Sequence, residues 1–156
     1  MPKVALDRKV PDFSLPATGA EDPWSLQHAA GRKLVIFFYP KDMTSGCTLE
    51  AQGFRDQVAA FRRAGTAIVG ISRDSLASHE KFCLKEKLPY PLLSDADEKV
   101  CQLFAVIQEK SLYGRKYMGI ERSTFLVDAA GVLRREWRKV KVNGHVEEVL
   151  EAAKSL

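Results

Sequence analysis

Cys47 is the residue of this chain with the clearest chemical opening. An apolar run, Leu34 to Phe38, stops at Tyr39-Pro40, a short polar loop reaches Gly46, and apolar residues return at Ala51, Phe54, Val58 and Phe61, the spacing of one helical face. That reads as strand, loop, helix, with a thiol where the helix begins. Backbone N–H groups in a first helical turn lack intrahelical partners and lie at the positive end of the helix dipole, so both favour a thiolate. Cys47 is therefore expected to be acidic and nucleophilic. Four residues before Ala51, it also falls near the inward face, partly shielded from water. Glu50 lies close to that face, and a carboxylate beside a thiolate raises the thiol pKa unless a cation stands between or over the two. Arg122 is the candidate cation, because Glu121-Arg122-Ser123 leads directly into the strand-like run Thr124 to Val127.

Pro40-x-x-x-Thr44-x-x-Cys47, followed by Thr48 and Glu50 and later by Arg122 ahead of a strand, resembles the peroxiredoxin active site. Phe38-Tyr39-Pro40-Lys41-Asp42 and the second cysteine, Cys83, resemble the subgroup called bacterioferritin comigratory protein or peroxiredoxin Q. The likeness runs from Pro11-Asp12-Phe13 to the final helix. Ser45 stands where the subgroup usually has proline, and serine can begin a helix as a cap.

The resemblance implies a thiol-dependent peroxidase acting on hydrogen peroxide and small organic hydroperoxides, without metal, haem or flavin. Ionisation of the thiol alone cannot supply the rate: lowering a pKa of ~8.5 to ~6 raises the thiolate fraction by roughly thirtyfold. The rest must come from holding the peroxide in line and stabilising the departing oxygen. By resemblance, Cys47 attacks the peroxide and becomes a sulfenic acid. Thr44 hydrogen-bonds the peroxide, Arg122 stabilises charge on both oxygens, Pro40 shields the sulfur from water, and Glu50 orients Arg122 from behind.

Cys83 is implied as the resolving thiol. Other members of the subgroup carry that thiol five residues after the first, where this chain has Gln52; the wider separation of Cys47 and Cys83 resembles the subgroup's other pattern. An intramolecular Cys47–Cys83 disulfide, reduced by thioredoxin or a similar dithiol, follows from the likeness. Bridging needs Cα atoms within ~7 Å, so thiols on separate helices require local unwinding. An internal resolving thiol makes a dimer unnecessary, and a monomer is expected.

Plainer readings exist for each residue. Thr44 could simply cap a helix, Glu50 could be a solvated first-turn acid that complements the dipole, and Cys83 a buried helix cysteine. Cys101, among Val100, Leu103 and Phe104, has nothing nearby to acidify it and reads as packing. His79, one turn before Cys83, reads as a partly exposed helix residue able to tune that thiol. A general disulfide reductase would carry the CxxC that this chain lacks. A redox sensor or partner-binding module, switched by the same disulfide, would show one stoichiometric oxidation in place of turnover.

The elements that must place these residues read as one α/β domain over 1–156, a thioredoxin-like fold with an amino-terminal β-hairpin and a mixed central sheet flanked by helices. Asp12 to Leu15 and Trp24 to Leu26 form the hairpin, and Gln27 to Arg32 a short turn. Lys33 to Phe38 and Ala67 to Ser72 are buried strands joined by a single helix from about Gly46 to Arg63, a crossover that implies parallel pairing. Asp74 or Ser75 caps a helix running to about Lys87, and Leu92-Leu93 is a short strand. Asp95 to Asp97 opens a helix through Phe104, and Lys110 to Ile120 is a loop or hairpin walling the active site. Thr124 to Val127 and Val132 to Arg138 flank a turn, and Asn143 caps a last helix, Val146 to Lys154.

The 156 residues carry three cysteines, an odd number unsuited to a secreted disulfide framework, and three scattered histidines unsuited to a zinc site. The net charge of +4 could suggest nucleic acid. Its densest group, Arg134, Arg135, Arg138, Lys139 and Lys141, has no aromatic interleaving and reads as a solvated or edge strand. No stretch reaches the ~18 apolar residues of a membrane helix, and a cytoplasmic protein is expected.

Overall fold

Residues 3–156 are described by a computed structural model. Its centre is the strand Lys33–Phe38, because Leu34 to Phe38 are buried and pack into the clusters on both faces of the sheet. In chain order the elements begin with β1 (Ser14–Leu15), β2 (Trp24–Ser25) and a 3-10 turn (Leu26–Ala29), followed by β3 (Lys33–Phe38). Then come α1 (Ser45–Asp56), α2 (Val58–Arg63), β4 (Thr66–Ser72), α3 (Leu76–Glu86), β5 (Leu92–Ser94) and α4 (Lys99–Leu103). The chain closes with β6 (Ile107–Leu112), β7 (Arg115–Ile120), β8 (Ser123–Val127), β9 (Leu133–Trp137) and α5 (His145–Ser155).

The main sheet has the order β5-β4-β3-β8-β9. β3, β4 and β5 run parallel, β8 returns antiparallel to β3, and β9 is antiparallel to β8. Alternation along β3 divides the core. Leu34, Ile36 and Phe38 face a cluster with Phe13, Trp24, Cys101, Phe104 and Phe125. Val35, Phe37 and Tyr39 face the other, with Cys47, Phe54, Phe61, Phe82 and Val149 from the helices α1, α2, α3 and α5. Covering both faces is what a parallel strand pair requires. β1 and β2 form the expected amino-terminal hairpin, and the arginine-rich β9 is an edge strand of the sheet.

Three local expectations are corrected. The single helix after the Cys47 loop is two, broken at Gln57 (φ −105°, ψ 7°), whose N–H bonds Phe54 O in the tighter three-residue pattern. Phe54 and Phe61 keep their inward phase across the break, so periodicity does not reveal it. Asn143 does not cap the last helix: Gly144 takes the cap position with φ 77°, and the helix starts at His145, whose ring turns inward to Thr124. The helix expected to open at Asp95 begins at Lys99, although the Asp95 carboxylate accepts the N–H groups of Val100 and Cys101. Among the described residues, no helix is long and apolar enough to cross a membrane.

Candidate active site

β3 delivers the chain to the site and α1 receives it. Tyr39 N–H bonds Ile71 O, ending the sheet ladder, and half-buried Pro40 turns the chain away. Met43 then adopts a left-handed conformation (φ 63°), which is strained for a residue with a side chain. Thr44 takes the cap position of α1, but its hydroxyl donates to Lys41 O (2.8 Å) instead of capping a backbone N–H. Its oxygen is thus left as an acceptor on an exposed loop beside the first turn.

Cys47 lies in that first turn and is 1% exposed. Arg122, on the two-residue link between β7 and β8, reaches back across the sheet end. Its Nη2 donates to Cys47 Sγ (3.2 Å) and its Nη1 to Glu50 Oε1 (2.6 Å). The Arg122 backbone is held by Val140 N–H on its carbonyl, so the guanidinium springs from a fixed point. Gly46, which sequence reasoning passed over, makes room for it: a Cβ there would stand 3.3 Å from Arg122 Nη2.

Burial pushes the Glu50 carboxyl up to about 7, and the Arg122 guanidinium offsets this only in part. Burial also works against the Arg122 charge, yet Glu50 and Cys47 outweigh it and hold the guanidinium above its ordinary value. Glu50 Oε2 is buried without a hydrogen-bond partner. The expected wall is a hairpin, β6 paired with β7. Its Lys110 stands close enough that Arg122, after burial, lowers the ammonium pKa.

Cys83 lies apart from this cluster. It is half-buried on α3, and Thr18 Oγ1 sits 3.5 Å from its sulfur. Burial raises the Cys83 pKa, with the Thr18 contact working the other way. Thr18 bonds Leu92 of β5, whereas Arg122 abuts β8, three strand spacings away or about 14 Å. Cys83 packs against the same apolar cluster that holds Cys47, and all three thiols are free. Cys101 is fully buried, and burial followed by Asp95 pushes its pKa far upward.

A second network ties the Cys47 loop to α3. Asp42 accepts from the Tyr39 hydroxyl (2.6 Å), the Ser78 hydroxyl (2.8 Å) and His79 Nδ1 (2.7 Å), while Asp42 N–H bonds Asp74 (2.9 Å). His79 Nε2 donates to Leu93 O (3.0 Å). Burial would raise the Asp42 carboxyl, but the bonds from His79 and Tyr39 outweigh it and hold it low. His79 is 0% exposed, which corrects its reading as a partly exposed helix residue. Asp42, Asp74 and His79 offer ligand atoms within 4.8 Å of one another, but their bonds are already taken up by one another and by Tyr39, Ser72 and Ser78. Leaving one of these buried groups without its hydrogen-bond partner costs about 1–3 kcal/mol.

Residues 6–136 match the AhpC/TSA family. The chain belongs to that family. It is 46% identical over 156 residues to Peroxiredoxin Bcp of Xanthomonas campestris, a match covering 99% of this chain and 98% of that protein. With Peroxiredoxin Bcp of Bacillus subtilis it shares 44% over 153 residues, covering 98% and 97%. A solved structure of the X. campestris bacterioferritin comigratory protein superposes with a TM-score of 0.86 at 46% identity, covering 92% of this chain and 90% of that one. That structure is described in terms of alkyl peroxide reduction and trapped intermediate and ligand complexes. The chain is thus a peroxiredoxin of the bacterioferritin comigratory protein branch, a thiol-dependent peroxidase on a thioredoxin-like fold.

Proposed function

We propose that Cys47 is the peroxidatic thiol of this peroxiredoxin and that Cys83 resolves it. The observation that carries the reading is the Arg122 guanidinium, one nitrogen on Cys47 Sγ at 3.2 Å and the other on buried Glu50 at 2.6 Å. A fixed cation beside the sulfur stands where negative charge develops as the O–O bond breaks.

The Cys47 thiolate attacks one peroxide oxygen. An S–O bond forms, the O–O bond breaks, and the departing oxygen takes a proton to leave as water or an alcohol. Thr44 accepts from the bound peroxide through the lone pairs its bond to Lys41 leaves free, and Pro40 limits water at the sulfur. Arg122 stabilises both oxygens, and Glu50 fixes the tilt of the guanidinium. Hydrogen peroxide and small organic hydroperoxides are the substrates, a reading supported by the alkyl peroxide chemistry of the X. campestris relative.

The Cys83 thiol then condenses with the sulfenic acid: an S–S bond forms, the S–O bond breaks, and water leaves. Thioredoxin or a similar dithiol reduces the disulfide and is itself oxidised. Because both thiols lie in one chain, the enzyme works as a monomer; its three free thiols suit a reducing compartment, the cytoplasm, and its two core clusters on one sheet support a single domain. The test follows NADPH consumption with thioredoxin, thioredoxin reductase and peroxide. Wild type is expected to turn over, Cys47→Ser to be inactive, and Cys83→Ser to be oxidised once without recycling. Full turnover by Cys47→Ser would overturn the assignment.

A further inference from the structure

If Cys83 resolves Cys47, α1, α3 or both must unwind locally, and the two ends of α3 are held very differently. The first turn is capped by Ser75, whose hydroxyl accepts Ser78 N–H, and is fastened to the Cys47 loop through Asp42 by Ser78 and fully buried His79. His79 is further fixed to Leu93 of β5. The last turn has no buried polar anchor of that kind. The residue after it, Lys87, is left-handed (φ 55°), a position usually given to glycine, where the N–H groups of Lys87 and Leu88 close on Cys83 O, and the exposed face carries Leu84 at 81% exposure.

What holds the last turn comes mainly from α1. Gln52 Nε2 donates to Glu86 Oε1 (2.7 Å) and Arg55 Nη1 to Glu86 O (2.8 Å), with the longer Thr18 contact to the Cys83 sulfur beside them. These groups are only partly buried. Gln52 stands on the same helix as Cys47, so the helix that bears the reacting sulfur also touches the turn that bears Cys83.

We propose that the last turn of α3 opens while the first stays fastened, and that Gln52 is a positioning residue that times the opening. Its amide keeps Cys83 in place while peroxide reacts, and its release from Glu86 sets the rate at which Cys83 reaches the sulfenic acid. In that step the Cys83 thiol gives up its proton, its sulfur bonds to Cys47 Sγ, and the S–O bond breaks to release water. This rests on the resolving role of Cys83 proposed above.

Stopped-flow tryptophan fluorescence on the reduced full-length protein separates the two steps. Reaction with hydrogen peroxide gives a phase whose rate rises with peroxide, and disulfide formation gives a phase that does not. Gln52→Met keeps the side-chain length and loses the amide. It is expected to leave the first phase unchanged and to speed the second about tenfold, the effect of one hydrogen bond to a charged group. Glu86→Gln keeps an acceptor oxygen and is expected within about threefold of wild type. Asp42→Asn loosens the other end; it is expected to slow the first phase and not to speed the second. A second phase unchanged or slowed in Gln52→Met would overturn the proposal, as would a second phase sped equally by Asp42→Asn. Loss of the second phase in Cys83→Ser, with no acceleration in Gln52→Met, would reject the Gln52 role and keep Cys83. Its persistence in Cys83→Ser would reject both.

Discussion

Arg122 does two things at once, and each can be removed separately. Its Nη2 faces the sulfur and its Nη1 is spent on Glu50. Arg122→Met keeps the bulk and loses both bonds, so the second-order rate constant for peroxide is expected to fall by about a hundredfold to a thousandfold. A fall of less than threefold in stopped flow would show that the guanidinium is not aimed at the transition state. Glu50 has a signature in stability. Its carboxyl titrates at about 7 in the fold against 4.5 ordinarily. Below 4.5 folded and unfolded chains both hold the proton; between 4.5 and about 7 only the folded chain keeps it. Stability contributed by the neutral acid is therefore lost as pH rises through that window, by about 3 kcal/mol in all. Glu50→Gln cannot ionise, so relative to wild type its unfolding free energy is expected to improve by an amount of that order between pH 4.5 and 8. Urea melts with parallel pH dependence in the two proteins would contradict the assignment.

The strands and helices that present these groups were legible to different degrees. β3 was readable almost to the residue because Leu34 to Phe38 is buried throughout and gives an unbroken apolar run. Cys47, Glu50 and Arg122 were readable together because a helix start, a helix spacing and a strand start each leave local signals. The Asp42–His79 network was not, since its partners are 37 residues apart and a loop aspartate and a helix histidine each resemble solvated residues when read alone. The break at Gln57 stayed hidden because the apolar phase passes through it. Gly70 is a further case, a glycine inside β4 whose need is purely spatial. A Cβ there would stand 2.7 Å from Phe37 Cζ and 2.8 Å from Leu92 Cδ2, both packed in the core. Gly70→Ala is expected to lower stability by about 1–3 kcal/mol, read by denaturant titration, because neither neighbour has space to retreat. An unchanged midpoint would show that β4 and β5 can part without cost.

The sheet as a whole sorts the three cysteines. Cys47 is in the cluster on the α1 face and Cys83 packs against that same cluster, whereas Cys101 lies in the cluster on the opposite face with Phe13 and Phe104. β3, buried throughout from Leu34 to Phe38, stands between them. Opening one turn of α3 exposes Cys83 without disturbing the sheet, but bringing Cys101 to Cys47 would mean parting strands that hold the core together. The Cys101 thiol is also held protonated by burial and by Asp95, so it is a poor nucleophile even where an oxidant reaches it. Peptide mapping after one equivalent of peroxide is therefore expected to find Cys47 bonded to Cys83 and Cys101 as a free thiol. Cys101→Ser is expected to turn over at the wild-type rate, with only the stability cost of burying a hydroxyl in place of the thiol, at most about 1–3 kcal/mol. A Cys47–Cys101 bond in the map, or a Cys101→Ser variant that is oxidised but no longer recycled, would mean that the sheet opens during the catalytic cycle and that Cys101 is the resolving thiol.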